Sequence, residues 1–200
     1  SRVHGVVVGE DLGVVPDYVE RSLERHGVFG CNVEWFEQRD GAFLAPGTWR
    51  RNALASVNTH DLPPAAGYLT YEQVKIRQRL GLLTTPVEEF QADAVREHNA
   101  MMTMLVDNGF LDSELLKDED ANQQQIVEAL YRALKAAPSY LLAAAVVDGV
   151  GEKRTQNQPG TNNEYPNWRV PLADANGDVV PLEKLFDEPR MRSLSAIMNA

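Results

Sequence analysis

Apolar positions along this chain fall into runs of two different periods. Val6–Val8 is a continuous β-branched run, the pattern of a parallel strand covered on both faces. Pro16 then opens a predicted helix, Asp17 to His26, with Val19 and Leu23 one turn apart and Asp17 spaced to pair with Arg21. Gly27 closes it. Cys31–Phe36 and Leu54–Asn58 read as two further strands, separated by a loop rich in turn formers, "DGAFLAPGT". From Tyr71 to Ala136 the period becomes helical. Val95, His98, Met102 and Leu105 share one face, as do Ile126, Leu130 and Leu134, and Pro86 and the run "KDEDANQQQ" interrupt the pattern. Tyr140–Val147, "YLLAAAVV", is apolar again and predicts a last buried strand, followed by Gly149 and Gly151. A long irregular stretch leads to an amphipathic ending, Leu182–Met198.

Strand, helix, strand, strand, helical segment, strand, helix is the grammar of an α/β fold with a parallel sheet. Such folds place chemistry at the carboxyl ends of their strands. Two pairs of polar residues stand at those ends: Glu10 and Asp11 after the first strand, and His60 and Asp61 after the third.

Composition narrows the partners. The formal net charge of −10 and the dispersed Lys and Arg residues argue against nucleic acid and anionic membrane. Its longest apolar run is about eight residues, short of the ~20 that span a bilayer. One cysteine, Cys31, excludes an internal disulfide framework. With no signal peptide recognised, these features predict a soluble, cytoplasmic protein. His4, His26 and His98 fit no metal-ligand spacing, so neither a metal nor another cofactor is expected. Gly5, Gly9 and Gly13 lack the spacing of a dinucleotide loop.

Carboxylates at two strand ends suit cleavage or transfer at a glycosidic bond. One carboxyl group protonates the leaving oxygen, and a second attacks the anomeric carbon or activates a water. A third favours the positively charged transition state. Glu10, between Val8 and Leu12, is the candidate acid/base, because an apolar surround suits a proton donor. Asp61, beside His60 and held by Pro63 and Pro64, suits the stabilising role, and His60 could bind a substrate hydroxyl. The structural alternatives are that Asp11 caps the following helix and that "THD" is an ordinary turn with a satisfied histidine.

Three stretches together carry a resemblance. "GEDLGVVPDYV", "SVNTHDLPPAAGY" and "QNQPGTNNEYPNWR", in that order, resemble the 4-α-glucanotransferases, or amylomaltases, of the clan that includes the α-amylases. The resemblance implies the carboxyl-terminal part, about strands five to eight, of a (β/α)8 TIM barrel with a helical insertion. It implies strands five to seven and the catalytic carboxylates in residues 1–70, the helical insertion in 71–136, and the last strand and terminal helix in 137–200. Glu10 then corresponds to the acid/base and Asp61 to the transition-state stabiliser. His60, Asp11, Asn157 and Gly160 correspond to substrate-binding or supporting positions. Trp168 and Arg169 are expected to pack structurally.

The family's nucleophile is an aspartate upstream of the "GEDLG" strand, and only nine residues precede Glu10 here. The resemblance therefore implies a missing amino-terminal part of the same polypeptide that supplies the nucleophile, and a segment inactive by itself. Half a barrel would also leave unpaired strand edges and so aggregate, dimerise or require the remainder. The implied substrates are maltooligosaccharides and α-1,4-glucans, with a retaining α-glucan hydrolase or a non-catalytic α-glucan-binding half-barrel as alternatives. Of the aromatic residues, at most one of Trp35 and Phe36 is expected to face the barrel opening if they alternate on a strand. Tyr68 could equally line a subsite or pack, and Met101, Met102 and Met104 are expected in the core.

Overall fold

Three short parallel strands carry the polar strand ends, in a computed structural model that describes residues 5–13 and 15–200. Helix α1 (Asp17–Arg25) precedes β1 (Gly30–Val33), which pairs with β4 (Ala53–Ser56) in the register Cys31 to Leu54. On its other side β4 pairs with β5 (Leu141–Ala143), Leu54 opposite Leu141. Between β1 and β4 lies a two-stranded antiparallel ribbon, β2 (Gln38–Arg39) and β3 (Ala42–Phe43). Helices α2 (Ala65–Leu69), α3 (Glu72–Arg79), α4 (Val87–Asp107) and α5 (Gln123–Ala136) form the crossover from β4 to β5. The chain ends in α6 (Leu182–Leu185) and α7 (Pro189–Asn199). The expected α/β architecture with a parallel sheet is present.

Several local expectations change. Val6–Val8 is not a covered strand: Val6 and Val7 are 62% and 61% exposed, and the run makes one parallel bridge, Val8 to Phe29. Phe29 N donates to Val7 O at 2.9 Å and Gly9 N to Phe29 O at 2.8 Å. Among the described residues nothing pairs with the other side. The "DGAFLAPGT" loop hides the ribbon, because Asp40 (φ 53°) and Gly41 (φ 79°) are both left-handed, as a two-residue hairpin turn requires. The strand at Cys31–Phe36 stops at Val33, where a 3₁₀ turn (Glu34–Phe36) takes over. Tyr140–Val147 gives only three half-buried strand residues, with Tyr140 58% exposed. It then breaks into the turns that lead to Gly149 and Gly151.

The helices follow the pattern more closely. Two acidic residues, Glu88 and Glu89, lie in the first turn of α4, favourable against its dipole, and Gly109 (φ 75°) ends it. Ile126, Leu130 and Leu134 on α5 and Met101 and Leu105 on α4 are all fully buried. These residues form one hydrophobic cluster with Ala55 and Val57 at the end of β4 and Leu194 of α7. Each such side chain contributes roughly 1.5–3 kcal/mol on burial. The loop after β4, which bears His60 and Asp61, thus follows directly from residues of the main hydrophobic cluster. No helix of the described residues is long and apolar enough to cross a membrane.

Candidate active site

Glu10 and Asp61 line one cavity. Its volume is about 450 Å³, its apolar walls include Val8, Leu12, Val33 and Leu54, and Thr59, His60 and Ser56 add polar groups. The parallel pairing explains the meeting. The Val8 segment, β1 and β4 run side by side, so their carboxyl ends open in the same direction. Val8 and Leu12 flank Glu10 as expected, yet Glu10 itself is exposed.

Asp11 points elsewhere. Its Oδ1 accepts the Cys31 amide at 2.7 Å, and its Oδ2 accepts Arg50 Nη1 at 2.7 Å. Arg50 Nη2 also donates to the Cys31 carbonyl at 3.0 Å. The Asp11 side chain is 3% exposed. Burial opposes its charge, but Arg50 and the Cys31 amide outweigh that and hold its carboxyl below the ordinary aspartate range. Asp11 therefore pins the Glu10 segment to β1 and does not reach the cavity that holds Glu10. Nor does it cap α1, whose N-cap is Pro16 with no side-chain cap.

Asp61 is exposed and held from two sides. Its amide donates to Thr59 Oγ1 at 3.2 Å, and its Oδ1 accepts Asn157 Nδ2 at 2.6 Å. His60 Nε2 lies 3.4 Å from the same oxygen, and the Asn157 amide donates to the His60 carbonyl at 3.2 Å. Asn157 thus ties the late loop to both His60 and Asp61. Gly160 does not line the cavity. With φ 84° it forms the exposed turn in which the Gln158 carbonyl accepts from Thr161.

Trp168 corrects an expectation. It is 64% exposed rather than packed, is left-handed at φ 61°, and holds its ring 5.1 Å from that of His60. Arg169 is exposed as well. Trp35, by contrast, is buried and stacked on Tyr68 at 4.0 Å, while Phe36, 52% exposed, lines the cavity. Both residues sit on the Glu34–Phe36 turn rather than alternating along a strand, and of the two only Phe36 lines the carboxylate cavity.

Sequence reasoning missed two residues. Arg50, in "TWRRN", is the partner of Asp11. Asp148, at the end of the apolar run 140–147, is buried and accepts Asn58 Nδ2 (2.9 Å), Tyr131 OH (2.6 Å) and the Ala65 amide (2.7 Å). A carboxylate closing an apolar run was a legible signal for a buried anchor. No cluster of three His, Cys, Asp or Glu with metal-holding geometry occurs among the described residues.

Such an arrangement defines an α/β protein that presents carboxylates into a cleft at the ends of parallel strands. The chain belongs to the 4-alpha-glucanotransferase family, whose model matches residues 1–176. It is 46% identical over 204 residues to the 4-alpha-glucanotransferase of Mycobacterium tuberculosis, and 27% identical over 197 residues to that of Haemophilus influenzae. These alignments cover 100% and 97% of this chain but 28% and 27% of the relatives, so the chain spans little more than a quarter of their length. The crystal structure of amylomaltase from Corynebacterium glutamicum superposes with a TM-score of 0.88 at 34% identity, over 96% of this chain and 28% of that one. Amylomaltase from Streptococcus agalactiae shares the fold, with a TM-score of 0.54 at 18% identity over 95% of this chain and 30% of that one.

Proposed function

We propose that this chain is the carboxyl-terminal catalytic portion of a 4-α-glucanotransferase acting on maltooligosaccharides and α-1,4-glucans. In this reading the Val8 segment, β1, β4 and β5 are strands five to eight of a (β/α)8 barrel. Residues 1–70 carry the carboxylates, 71–136 the helical insertion, and 137–200 the last strand and terminal helix. The nucleophilic aspartate comes from sequence outside these 200 residues. The observation that carries the proposal is the convergence of Glu10 and Asp61 on one cavity, with Asp61 fixed by Asn157.

The chemistry then runs in two displacements. The nucleophile's carboxylate bonds to the anomeric carbon as the glycosidic C–O bond breaks, and Glu10 gives its proton to the departing oxygen. In the second step a sugar hydroxyl bonds to the same carbon. Its proton passes to Glu10, and the nucleophile leaves as carboxylate. Asp61 stabilises the oxocarbenium character of both transition states from a fixed position, which costs no reorganisation during reaction. His60 binds a hydroxyl of the same sugar.

Maltotriose supplied to the full-length protein tests this. Transfer yields glucose together with oligosaccharides longer than maltotriose, whereas hydrolysis yields only shorter sugars. Glu10→Gln and Asp61→Asn should each lower turnover by orders of magnitude. Turnover within a few-fold of the unaltered protein in either variant would refute the assignment.

A further inference from the structure

Phe36 lines the carboxylate cavity while 52% exposed, so close packing does not lock its ring. Its direction depends on the peptide that joins it to Trp35. Peptide groups are planar, so holding the Trp35 carbonyl holds the backbone from which the Phe36 ring projects. That carbonyl accepts Gln38 Nε2 at 2.7 Å, and the same nitrogen donates to Glu97 Oε1 of α4 at 2.9 Å. A side-chain amide carries two N–H donors and makes both bonds at once. Both partners are acceptors, so only the nitrogen of the Gln38 amide can face them.

The far end of this link is firm. Glu97 is followed on α4 by His98, which is buried and pairs through Nε2 with Glu119 Oε2 at 2.7 Å. One and two turns further on, Met101 and Leu105 are fully buried. Trp35 is buried too, and its ring stacks on Tyr68 of α2, the helix that follows His60 and Asp61. Trp35 is thus held by its ring against α2 and by its carbonyl, through Gln38, against α4. Fastening the β2–β3 ribbon to α4 does not call for this bond, because Phe43 of β3 is already buried in the cluster that holds Met101 and Leu105.

We infer that Gln38 and Glu97 are positioning residues for the reaction, which hold Phe36 on the wall of the cavity shared by Glu10 and Asp61 and so give helix α4 a part in catalysis. The inference rests on the proposed function. Neither residue lines that cavity, so both act through the Trp35–Phe36 peptide. An amide bonded to a carboxylate is charge-assisted and stronger than a neutral pair. Gln38→Glu would set a carboxylate against a carbonyl and a second carboxylate at nearly unchanged volume, turning attraction into repulsion. Glu97→Gln would still offer Gln38 an acceptor oxygen.

A double-mutant cycle in the full-length protein tests this, with kcat/KM for transfer from maltotriose, per folded molecule, as the readout. Gln38→Ala should lower it about five- to tenfold, because a displaced wall spoils productive placement. In a Phe36→Ala background the same substitution should cost less than about twofold, since the group it positions is gone. Glu97→Ala, which suits a helix and so guards against a folding failure at position 38, should match Gln38→Ala. Glu97→Gln should recover most of that loss, and Gln38→Glu should lose at least as much as Gln38→Ala. Equal fractional losses with and without Phe36, a Gln38→Ala protein within about twofold of the parent, or a Glu97→Gln protein as impaired as Glu97→Ala would each overturn the inference and leave the bond a staple between ribbon and helix. A full-length protein with no transfer at all would refute the functional reading and this role with it, whereas transfer with additive losses refutes the role alone.

Discussion

Asn58, the last buried residue before His60 and Asp61, donates its side-chain amide to Asp148 at 2.9 Å. The other Asp148 oxygen takes the Ala65 amide at 2.7 Å, so one carboxylate holds both ends of the loop that carries Asp61. Burial pushes the Asp148 carboxyl up, while Tyr131, Ala65 and Asn58 all favour its charged form.

Asp148→Asn in the full-length protein turns one acceptor into an amide facing Asn58. Unpaired buried groups cost about 1–3 kcal/mol each, so unfolding should come several degrees earlier. Turnover should fall as the loop loosens. Tyr131→Phe removes a bond to the same carboxylate while leaving both loop ends tied, and should lose stability but little turnover. The double variant Asn58→Asp/Asp148→Asn reverses the polarity of the pair and should recover part of both. Initial rates and melting curves decide it; equal rates in Asp148→Asn and Tyr131→Phe would show that the clamp is purely structural.

The Asp11–Arg50 clasp makes stability depend on pH in a stated direction. Asp11 titrates below its ordinary value of 3.8 in the fold, so the unfolded chain takes up that proton first. The clasp's contribution is fully present above that value and disappears as pH falls through the lowered one. Melting temperatures of the parent and Asp11→Asn should therefore differ at neutral pH and converge in acid. Gly30→Ala should mimic the loss at neutral pH, because its Cβ would lie 2.2 Å from Arg50 Nη2 and 2.4 Å from Asp11 Oδ2. Parallel melting curves across the whole acid range would contradict this role for Asp11.

Much of this was legible where one local cause dominates. The 3.6-residue period predicted Ile126, Leu130 and Leu134 facing inward, and all three are fully buried. Strand-end logic brought Glu10 and Asp61 to one cavity because parallel strands share a direction. What the sequence left unread depends on contacts distant along the chain. Asp11 looked like a partner of Glu10 until Arg50, 39 residues away, claimed it. Trp168 was expected to pack from its place in the "NWR" stretch, whereas it is left-handed and exposed. Glu34 carried no signal at all, yet it is fully buried without a partner, and burial drives its carboxyl far up, toward the protonated form.

Gly67 is where helix α2 meets the late loop. A Cβ there would stand 2.2 Å from the Lys153 carbonyl oxygen, a backbone atom that cannot swing aside. Nor can α2 retreat freely, since Asp148 holds the Ala65 amide. Gly67→Ala should cost about 1–3 kcal/mol or more through overpacking. It should also displace the segment leading from Lys153 to Asn157, weakening the grip on Asp61 and lowering turnover beyond what reduced folding explains. Activity per folded molecule, measured well below the melting temperature, checks this. An unchanged specific activity would confine the effect to packing.

Trp168 combines exposure, a left-handed backbone and contact with His60, and these separate in two variants. Large side chains at positive φ are strained by about 1–3 kcal/mol, and glycine relieves that strain. Trp168→Gly should therefore raise the melting temperature by a few degrees in the full-length protein. Trp168→Ala keeps the backbone penalty and should not. If the indole serves as an apolar platform for a sugar beside His60, both variants should weaken maltoheptaose binding to a similar extent, about tenfold. The stability readout then differs between them while the binding readout agrees, a pattern that strain alone cannot produce. Binding unchanged in both would make Trp168 a strained surface residue with no part in recognition.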